Sequence, residues 1–330
     1  MRSRSRRRNS SKPFAGREPP DVRGLLGFHH DYAYAMADVE VVELLASGKA
    51  FVDLSSWRKV AVSSRDPIPW LNSLISADID DLAPGRARHG LLLSEAGGVR
   101  AELTVAVPGG NLLLIQDPAQ PHPIDELLAP HARGFDVDLE DRTGDLALFA
   151  FPGRGREPEA PGSAYSTPSC LGTGGVDVLS LAEDHDRLLG QFGKRNTPAG
   201  PEDVEAWRIS AGIPRVGWDT LEGDLPRECG LEWAVSSDKG PYPGREAVSN
   251  EAGAGQPRSV LVPLETDIPV SRGEAVEANG APAGEITSVA LLGGRCLVLA
   301  RIRWERLEGP FQTPWGVKLR ARSPDSSGSP

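Results

Sequence analysis

One stretch of the sequence collects side chains that could bind a polar, aromatic ligand. Residues 225–246 read L-P-R-E-C-G-L-E-W-A-V-S-S-D-K-G-P-Y-P-G-R-E, with Pro/Gly turns near both ends. Glycine and proline favour special backbone angles, so polar side chains between such turns can be held in place. An acid, two cations and two aromatic rings on stiff loops could bind a flat, partly anionic ligand; these residues are Glu228, Lys239, Arg245, Trp233 and Tyr242. The alternative interpretation is an ordinary surface turn.

The composition predicts a globular chain of two or three domains. The 330 residues are 25% charged and carry a net charge of −10. No run of 18 or more apolar residues occurs, so no membrane span is predicted. Residues 1–17 contain seven basic side chains and no acid, so the rest of the chain is more acidic than the net charge suggests. An acidic body argues against nucleic acid as a partner, because phosphate binding needs a basic surface.

The chain termini and the cysteines indicate a cellular compartment. The basic start has no apolar region of a secretory signal, and we expect a disordered tail at 1–23; an organelle transit peptide remains the alternative. Cys170, Cys229 and Cys296 are far apart with no C-x-x-C pair. We therefore expect a reducing cytoplasm and no metal site.

Periodic patterns predict the elements that would position these side chains. Apolar residues alternate along Val99–Val107, between apolar runs at 91–94 and 112–116, which predicts a three-stranded antiparallel meander. Residues 201–211 read as a helix that ends at Gly212. Short strands separated by glycine turns between 259 and 303 predict a small barrel or sandwich.

The order of several motifs resembles a known family. The chain contains R-I-S-A-G-I-P at 208–214, Asp219, P-R-E at 226–228 and K-G-P-Y-P-G-R-E at 239–246. This order is similar to that of the YgfZ family of folate-binding proteins, which carries A-G-I-P, P-x-E and K-G-C-Y-x-G-Q-E. The segments E-C-G-L-E-W-A-V at 228–235 and G-R-E-A at 244–247 are similar to those of the related glycine-cleavage T protein, a tetrahydrofolate-dependent aminomethyltransferase.

The resemblance implies an α+β fold. Interleaved N-terminal and central subdomains would surround a folate pocket and would be followed by a C-terminal β-barrel. The corresponding boundaries are 24–250 for the folate-binding region, with an approximate break near 151–164, and 256–322 for the barrel. A second disordered tail is expected at 323–330.

The resemblance also implies roles for individual residues. Glu228 would accept the N–H and exocyclic amine of a pterin, because a carboxylate can accept both. Trp233 or Tyr242 would stack on the ring, Arg245 and Lys239 would bind the glutamate tail, and Gln116 is a weaker candidate for a contact with the pterin or the tail. The residues themselves leave three alternatives open: Glu228 could cap the turn at Pro226, Trp233 could pack in the core on a strand, and Arg245 or Lys239 could be an ordinary solvated charge.

Two departures from the family patterns bear on catalysis. The T protein places an aspartate pair where this chain has Ala101 and Glu102, and Pro241 occupies the place of the YgfZ cysteine. Strand alternation points Glu102 to the face opposite Ala101, so it is a weak catalytic candidate. We therefore predict a non-catalytic tetrahydrofolate-binding protein that supports iron–sulfur enzyme maturation or repair. The alternatives are a folate-dependent one-carbon transferase and an interaction module without a ligand.

Overall fold

The described part of the chain contains six α-helices. The computed structural model describes residues 36–155, 158, 164–171, 174–249 and 256–323, so the predicted tail at 1–23 and nearly all of 323–330 lie outside it. The helices are α1 (Val39–Ala46), α2 (Pro67–Asn72), α3 (Ile124–Ala132), α4 (His185–Phe192), α5 (Pro201–Ala211) and α6 (Arg245–Ser249). None of these helices has both the length and the apolar character that a membrane-spanning helix requires.

The strands of the described residues form three sheets. They are β1 (Met36–Ala37), β2 (Ala50–Asp53), β3 (Arg58–Ser64), β4 (Ala87–Leu93), β5 (Val99–Ala106), β6 (Leu112–Gln116), β7 (Val137–Asp141), β8 (Leu146–Phe151), β9 (Tyr165–Pro168), β10 (Val176–Leu181), β11 (Thr197–Pro198), β12 (Ser259–Thr266), β13 (Ala275–Ala278), β14 (Ala281–Leu292), β15 (Arg295–Arg303), β16 (Phe311–Gln312) and β17 (Lys318–Ala321).

The first sheet contains the predicted meander. Its strand order is β4-β5-β6-β3-β7, and the β4–β5 and β5–β6 pairs are antiparallel. In the β4–β5 pair, Thr104 lies opposite His89 and Glu102 lies opposite Leu91. Glu102, Thr104 and His89 therefore approach one another on one face of the sheet, because side chains of alternate residues share a face.

The second sheet shows that the subdomains interleave along the chain. Its order is β11-β2-β8-β10-β9, so β2 from the N-terminal part lies among strands from residues 146–198. The pairing of β2 with β11 is parallel, which a long crossover connection makes possible. The interleaved α+β arrangement is confirmed.

The third sheet closes into the C-terminal β-barrel. Its order β14-β13-β16-β17-β12-β15 returns to the start because β14 also pairs with β15. The barrel interior is apolar and includes Leu264, Val276, Ile286, Val298, Ile302 and Phe311. Strand β1 adds to β14 in parallel, so the described chain begins on the barrel. The predicted barrel is confirmed.

Helix α5 joins these layers. It begins with Pro201, and the Asp203 carboxylate accepts the Gly200 amide at 2.9 Å. It ends at Gly212, whose φ of 74° is the left-handed conformation that glycine adopts at least cost. Ala206, Trp207 and Ile209 of α5 are buried in the core that the helix shares with α1, β2, β8 and the barrel.

Candidate functional site

A cavity of about 1080 Å³ lies where the three sheets and α5 meet. The first sheet contributes His89, Glu102 and Thr104 to its wall, and β2 contributes Val52 and Asp53. Helix α5, the turn after it, the barrel and a loop of residues 270–273 complete the lining. Binding cavities for small molecules are commonly 300–1,000 Å³ and mostly apolar with a few placed polar groups. The cavity therefore has the size of a ligand site.

Glu102 directs an acidic group into this cavity. Ala101 is fully buried in the core between the first sheet and helices α2 and α3, whereas Glu102 on the opposite face lines the cavity. Burial, together with the nearby Asp117 carboxylate, raises the pKa of Glu102 from 4.5 to about 7. The alternation predicted from the sequence is confirmed, and it places Glu102 on the cavity face.

His89 lies beside Glu102 and is neutral near pH 7. Its Nε2 lies 3.2 Å from the Ser169 carbonyl oxygen, which can only accept, so Nε2 carries the proton. Burial lowers the pKa of His89 to about 4. The other nitrogen, Nδ1, is 3.3 Å from Thr104 Oγ1 and 3.9 Å from Glu102 Oε1. An acceptor nitrogen therefore faces a carboxyl group that is half protonated near neutral pH.

Two arginines on the cavity wall are held by carboxylates. Arg208 of α5 donates to Asp219 at 2.9 Å and to Ser288 Oγ at 2.7 Å, and it also pairs with Glu205. Arg215 pairs with Glu205 at 3.2 Å and with Asp117 at 3.1 Å. Three carboxylates therefore hold two guanidinium groups in place, so this part of the lining is a preformed polar frame.

Glu228 joins the 225–246 stretch to the barrel. Its carboxylate accepts the Leu225 amide at 3.0 Å, the Arg258 amide at 2.8 Å and two bonds from the Arg258 guanidinium. Glu228 is 3% exposed and is not among the residues that line the cavity. The structure thus gives Glu228 the alternative role, a cap on the turn at Pro226, with a side-chain ion pair in addition.

Lys239 and Tyr242 are buried in the packing of this stretch. Lys239 Nζ lies 2.6–2.9 Å from four acceptors, the carbonyls of Asn72, Ile75 and Ala77 and the Asn72 side-chain oxygen. Tyr242 is 7% exposed in a cluster with Leu91, Val99, Cys229 and Leu231. Lys239 holds the stretch against residues 72–77, Tyr242 holds it against the first sheet, and neither lines the cavity.

Two glycine turns bring the stretch and the meander together. A Cβ at Gly244 would lie 2.4 Å from the Ser94 carbonyl oxygen and 2.9 Å from the Gly97 Cα. Both glycines have positive φ, 79° and 84°. Only glycine permits this backbone approach with these angles. Gly97 and the Gly244 position of the family-like motif thus serve packing.

Of the three remaining predicted site residues, one lines the cavity and two do not. Trp233 lines the cavity and meets the His89 ring edge-on at 5.1 Å between centroids. It lies in a short 3-10 turn, so its predicted placement on a strand was wrong. Gln116 is buried and bridges the His122 carbonyl and the Ile124 amide, and Arg245 opens α6; neither lines the cavity.

Sequence reasoning did not single out several cavity residues. His89, Arg215, Trp218 and Arg272 all line the wall, and Asp117 lies beside Arg215. His89 had one usable signal, its position two residues before the predicted strand at 91–94. The others lie on turns, and their meeting depends on contacts between distant parts of the chain.

The structure makes Glu228 a stability residue, which gives a testable expectation. Burial opposes ionisation, but hydrogen bonds from Arg258 and from the Leu225 amide lower the pKa of Glu228 from 4.5 to about 2. Because the folded-state pKa is depressed, the stabilisation is complete above pH 4.5 and is lost as the pH falls towards 2. We expect Glu228→Gln to lose about 2–3 kcal/mol at pH 7, and this loss to shrink below pH 4.5.

Urea unfolding at pH 7 and pH 3 measures this effect. Glu232→Gln, on an exposed neighbour, is the matched control and should change little. Unchanged stability of Glu228→Gln with weakened folate binding would instead support the ligand role implied by the resemblance.

Comparison with known proteins shows what this chain is similar to. A profile of the GCVT N-terminal domain matches residues 31–155. The chain is 27% identical to the aminomethyltransferase of Thermus thermophilus over 307 residues, which cover 84% of this chain and 85% of the relative. It is 25% identical to the aminomethyltransferase of Geobacillus kaustophilus over 278 residues, which cover 74% and 76%.

The fold agrees with a solved structure. The glycine cleavage system aminomethyltransferase T of Bartonella henselae superposes with a TM-score of 0.72 at 19% identity, covering 88% of this chain and 90% of that one. The fold class is therefore that of an aminomethyltransferase T. The sequence matches support a relationship to the glycine-cleavage T protein superfamily, and the structural match supports the same fold.

Proposed function

We propose that this protein binds tetrahydrofolate or a derivative in the cavity described above. The observation that carries the proposal is the cavity itself, about 1080 Å³ with tryptophan walls and an acidic group facing inward. Trp57, Trp218 and Trp233 lie on its lining and offer flat apolar surfaces to a fused ring. The resemblance of this chain to the glycine-cleavage T protein superfamily implies a folate ligand, which supports the same ligand class.

The free carboxyl group suggests how the ring would be oriented. In the described structure, Asp117 and Glu205 are paired with Arg215, and Asp53 accepts from His185 at 2.8 Å. Glu102 has no hydrogen bond to its carboxylate among the described residues, and its nearest basic atom is His89 Nδ1 at 3.9 Å. Glu102 is therefore the acid of the cavity whose carboxylate oxygens can accept hydrogen bonds from the donor groups of a pterin.

One observation favours a catalytic version of this function. A carboxyl group with a pKa of about 7 can both give and take a proton near neutral pH, which general acid–base catalysis requires. Ala101, the basis of the sequence argument against catalysis, faces the core. We therefore propose one-carbon transfer, with Glu102 exchanging the proton at the folate nitrogens, as the second candidate function.

The non-catalytic role in iron–sulfur enzyme maturation or repair has support only from the resemblance to the YgfZ family. Pro241 replaces the cysteine of that motif. Cys229 lies in the same stretch of the sequence, but burial raises the pKa of its thiol far above the usual value. A buried thiol of this kind is inert. Measuring iron–sulfur enzyme activity in cells lacking the protein separates the two roles, since a loss supports maturation and normal activity counts against it.

Thermal unfolding of the full chain with tetrahydrofolate tests the binding function. Ligand at 100-fold its dissociation constant should add about 2.7 kcal/mol of stability and raise the melting temperature. A chemically similar compound without the pterin ring, p-aminobenzoylglutamate, is the control and should have little effect. No shift up to the solubility limit of tetrahydrofolate would overturn the proposal.

A further inference from the structure

A cationic side chain at the cavity rim lies over a tryptophan ring. Arg272 belongs to the barrel loop that lines the cavity, and its guanidinium carbon is 4.4 Å from the centroid of the Trp218 ring. Arg272 Nη2 also lies 3.4 Å from the Trp218 carbonyl oxygen. Stacking on an aromatic face orients a guanidinium while its edge stays available for bidentate contacts.

Trp218 is held by a second arginine, so the platform is preformed. The guanidinium of Arg215 lies 5.3 Å from the centroid of the same ring. Arg215 is itself fixed by Asp117 and Glu205. The ring therefore has a defined place at the cavity wall, and Arg272 receives its orientation from it.

Arg272 differs from the other arginines of the cavity wall in having no carboxylate partner among the described residues. Arg208 and Arg215 are both paired with carboxylates. Within the described residues, no carboxylate lies within ion-pair distance of Arg272, although the protein carries a net charge of −10. Such a cation is exposed at the cavity rim and can pair with an anion of the ligand.

We propose that Arg272, stacked on Trp218, is the subsite for the carboxylates of a polyglutamyl folate tail. This inference rests on the proposed folate-binding function. Arg245 and Lys239, which the sequence suggested for the tail, do not line the cavity, and Lys239 is occupied by four protein oxygens. Each added glutamate brings another carboxylate to the rim, so the protein binds longer tails more tightly.

Equilibrium binding of three probes to the full chain tests the subsite. The probes are 6-methyltetrahydropterin, which has no tail, tetrahydrofolate with one glutamate, and tetrahydrofolate with three. Arg272→Ala should weaken the triglutamate about five- to tenfold and the monoglutamate less, as expected for one exposed charged contact. Its affinity for the tail-less pterin should equal that of the wild type.

Two further variants sharpen the result. Arg306→Ala removes another exposed barrel arginine that does not line the cavity, and it should leave all three affinities unchanged. Arg272→Lys keeps the charge without the planar stack, so we expect an intermediate triglutamate affinity.

The outcomes separate the subsite from the binding function. If wild-type protein binds none of the probes, the folate function and the subsite both fail. If it binds them and Arg272→Ala behaves like Arg306→Ala, the subsite is wrong while the function stands. An equal loss for the pterin and the triglutamate would also overturn the tail assignment, because Arg272 would then act on the ring or the fold.

Discussion

Replacing Glu102 by glutamine is expected to make the protein more stable at pH 8 and, under the proposed one-carbon transfer function, to reduce that transfer by about 100-fold or more. Both effects follow from one property, a carboxyl group held in a cavity without a cationic partner among the described residues. Residues kept at a cost in stability are commonly functional. Because stability is expected to rise while transfer falls, this variant is the clearest test of the role of Glu102.

The stability effect has a defined dependence on pH. The folded-state pKa of Glu102 is about 7, against 4.5 for a solvent-exposed glutamate such as that of the unfolded chain. Because the folded-state pKa is raised, the unfolded chain gives up its proton first, and stability falls as pH rises from 4.5 to 7. Glutamine cannot ionise, so Glu102→Gln should gain up to about 3 kcal/mol over the wild type at pH 8 and nothing below pH 4.5.

His89 would otherwise complicate this profile. Its folded-state pKa of about 4 lies below the usual 6.5, so its contribution rises with pH between 4 and 6.5. His89 is present in both proteins, so the difference in unfolding free energy between the variant and the wild type reports the titration of Glu102. Glu126→Gln, on the exposed surface of α3, is the matched control.

Urea unfolding between pH 4 and 8 and an assay of one-carbon transfer measure the two effects. A variant that is less stable than the wild type at pH 8 would show that Glu102 is stabilised by a partner. Full transfer activity in Glu102→Gln would remove it from the chemistry.

Asp219→Ala is expected to lower the free energy of unfolding by about 3–5 kcal/mol, because it removes one of the two carboxylates that pair with the buried Arg208. Asp219 is 1% exposed, and its carboxylate accepts from Arg208, the Arg215 amide, Thr287 and Ser288. The change therefore affects α5, the turn after it and barrel strand β14 at once.

The matched control is Asp138→Ala, which removes an exposed carboxylate on β7 and should change stability by less than about 0.5 kcal/mol. Asp219→Asn keeps the shape of the side chain and should give an intermediate loss. Chemical denaturation compares the three variants. Equal midpoints for Asp219→Ala and Asp138→Ala would show that the network carries little of the stability.

Local patterns in the sequence predicted several of the elements, and the resemblance to a family implied the fold class. The alternation at Val99–Val107 and the Gly212 stop after 201–211 each correspond to an observed strand or helix end. These signals depend on neighbours in sequence, which is why they transfer directly to structure. The closed barrel followed from glycine-separated strands and from the resemblance to the family.

The site could not be predicted in the same way, because its geometry depends on distant contacts. The burial of Lys239 follows from its bonds to residues 72–77, and that of Tyr242 from packing on the first sheet. Arg272 meets Trp218 across 54 residues of chain. Strand alternation separated Glu102 from Ala101, but only the tertiary structure identifies which face borders the cavity.

Isothermal titration of tetrahydrofolate into the full chain tests most directly whether the cavity is a folate site. Val204 of α5 lines the cavity, and Val204→Trp would fill part of it; Leu189→Trp, on the exposed face of α4, is the matched control. We predict one ligand per chain for the wild type and for Leu189→Trp, and at least about tenfold weaker binding for a folded Val204→Trp. The absence of binding to the wild type, or undiminished affinity in folded Val204→Trp, would contradict a folate site in this cavity.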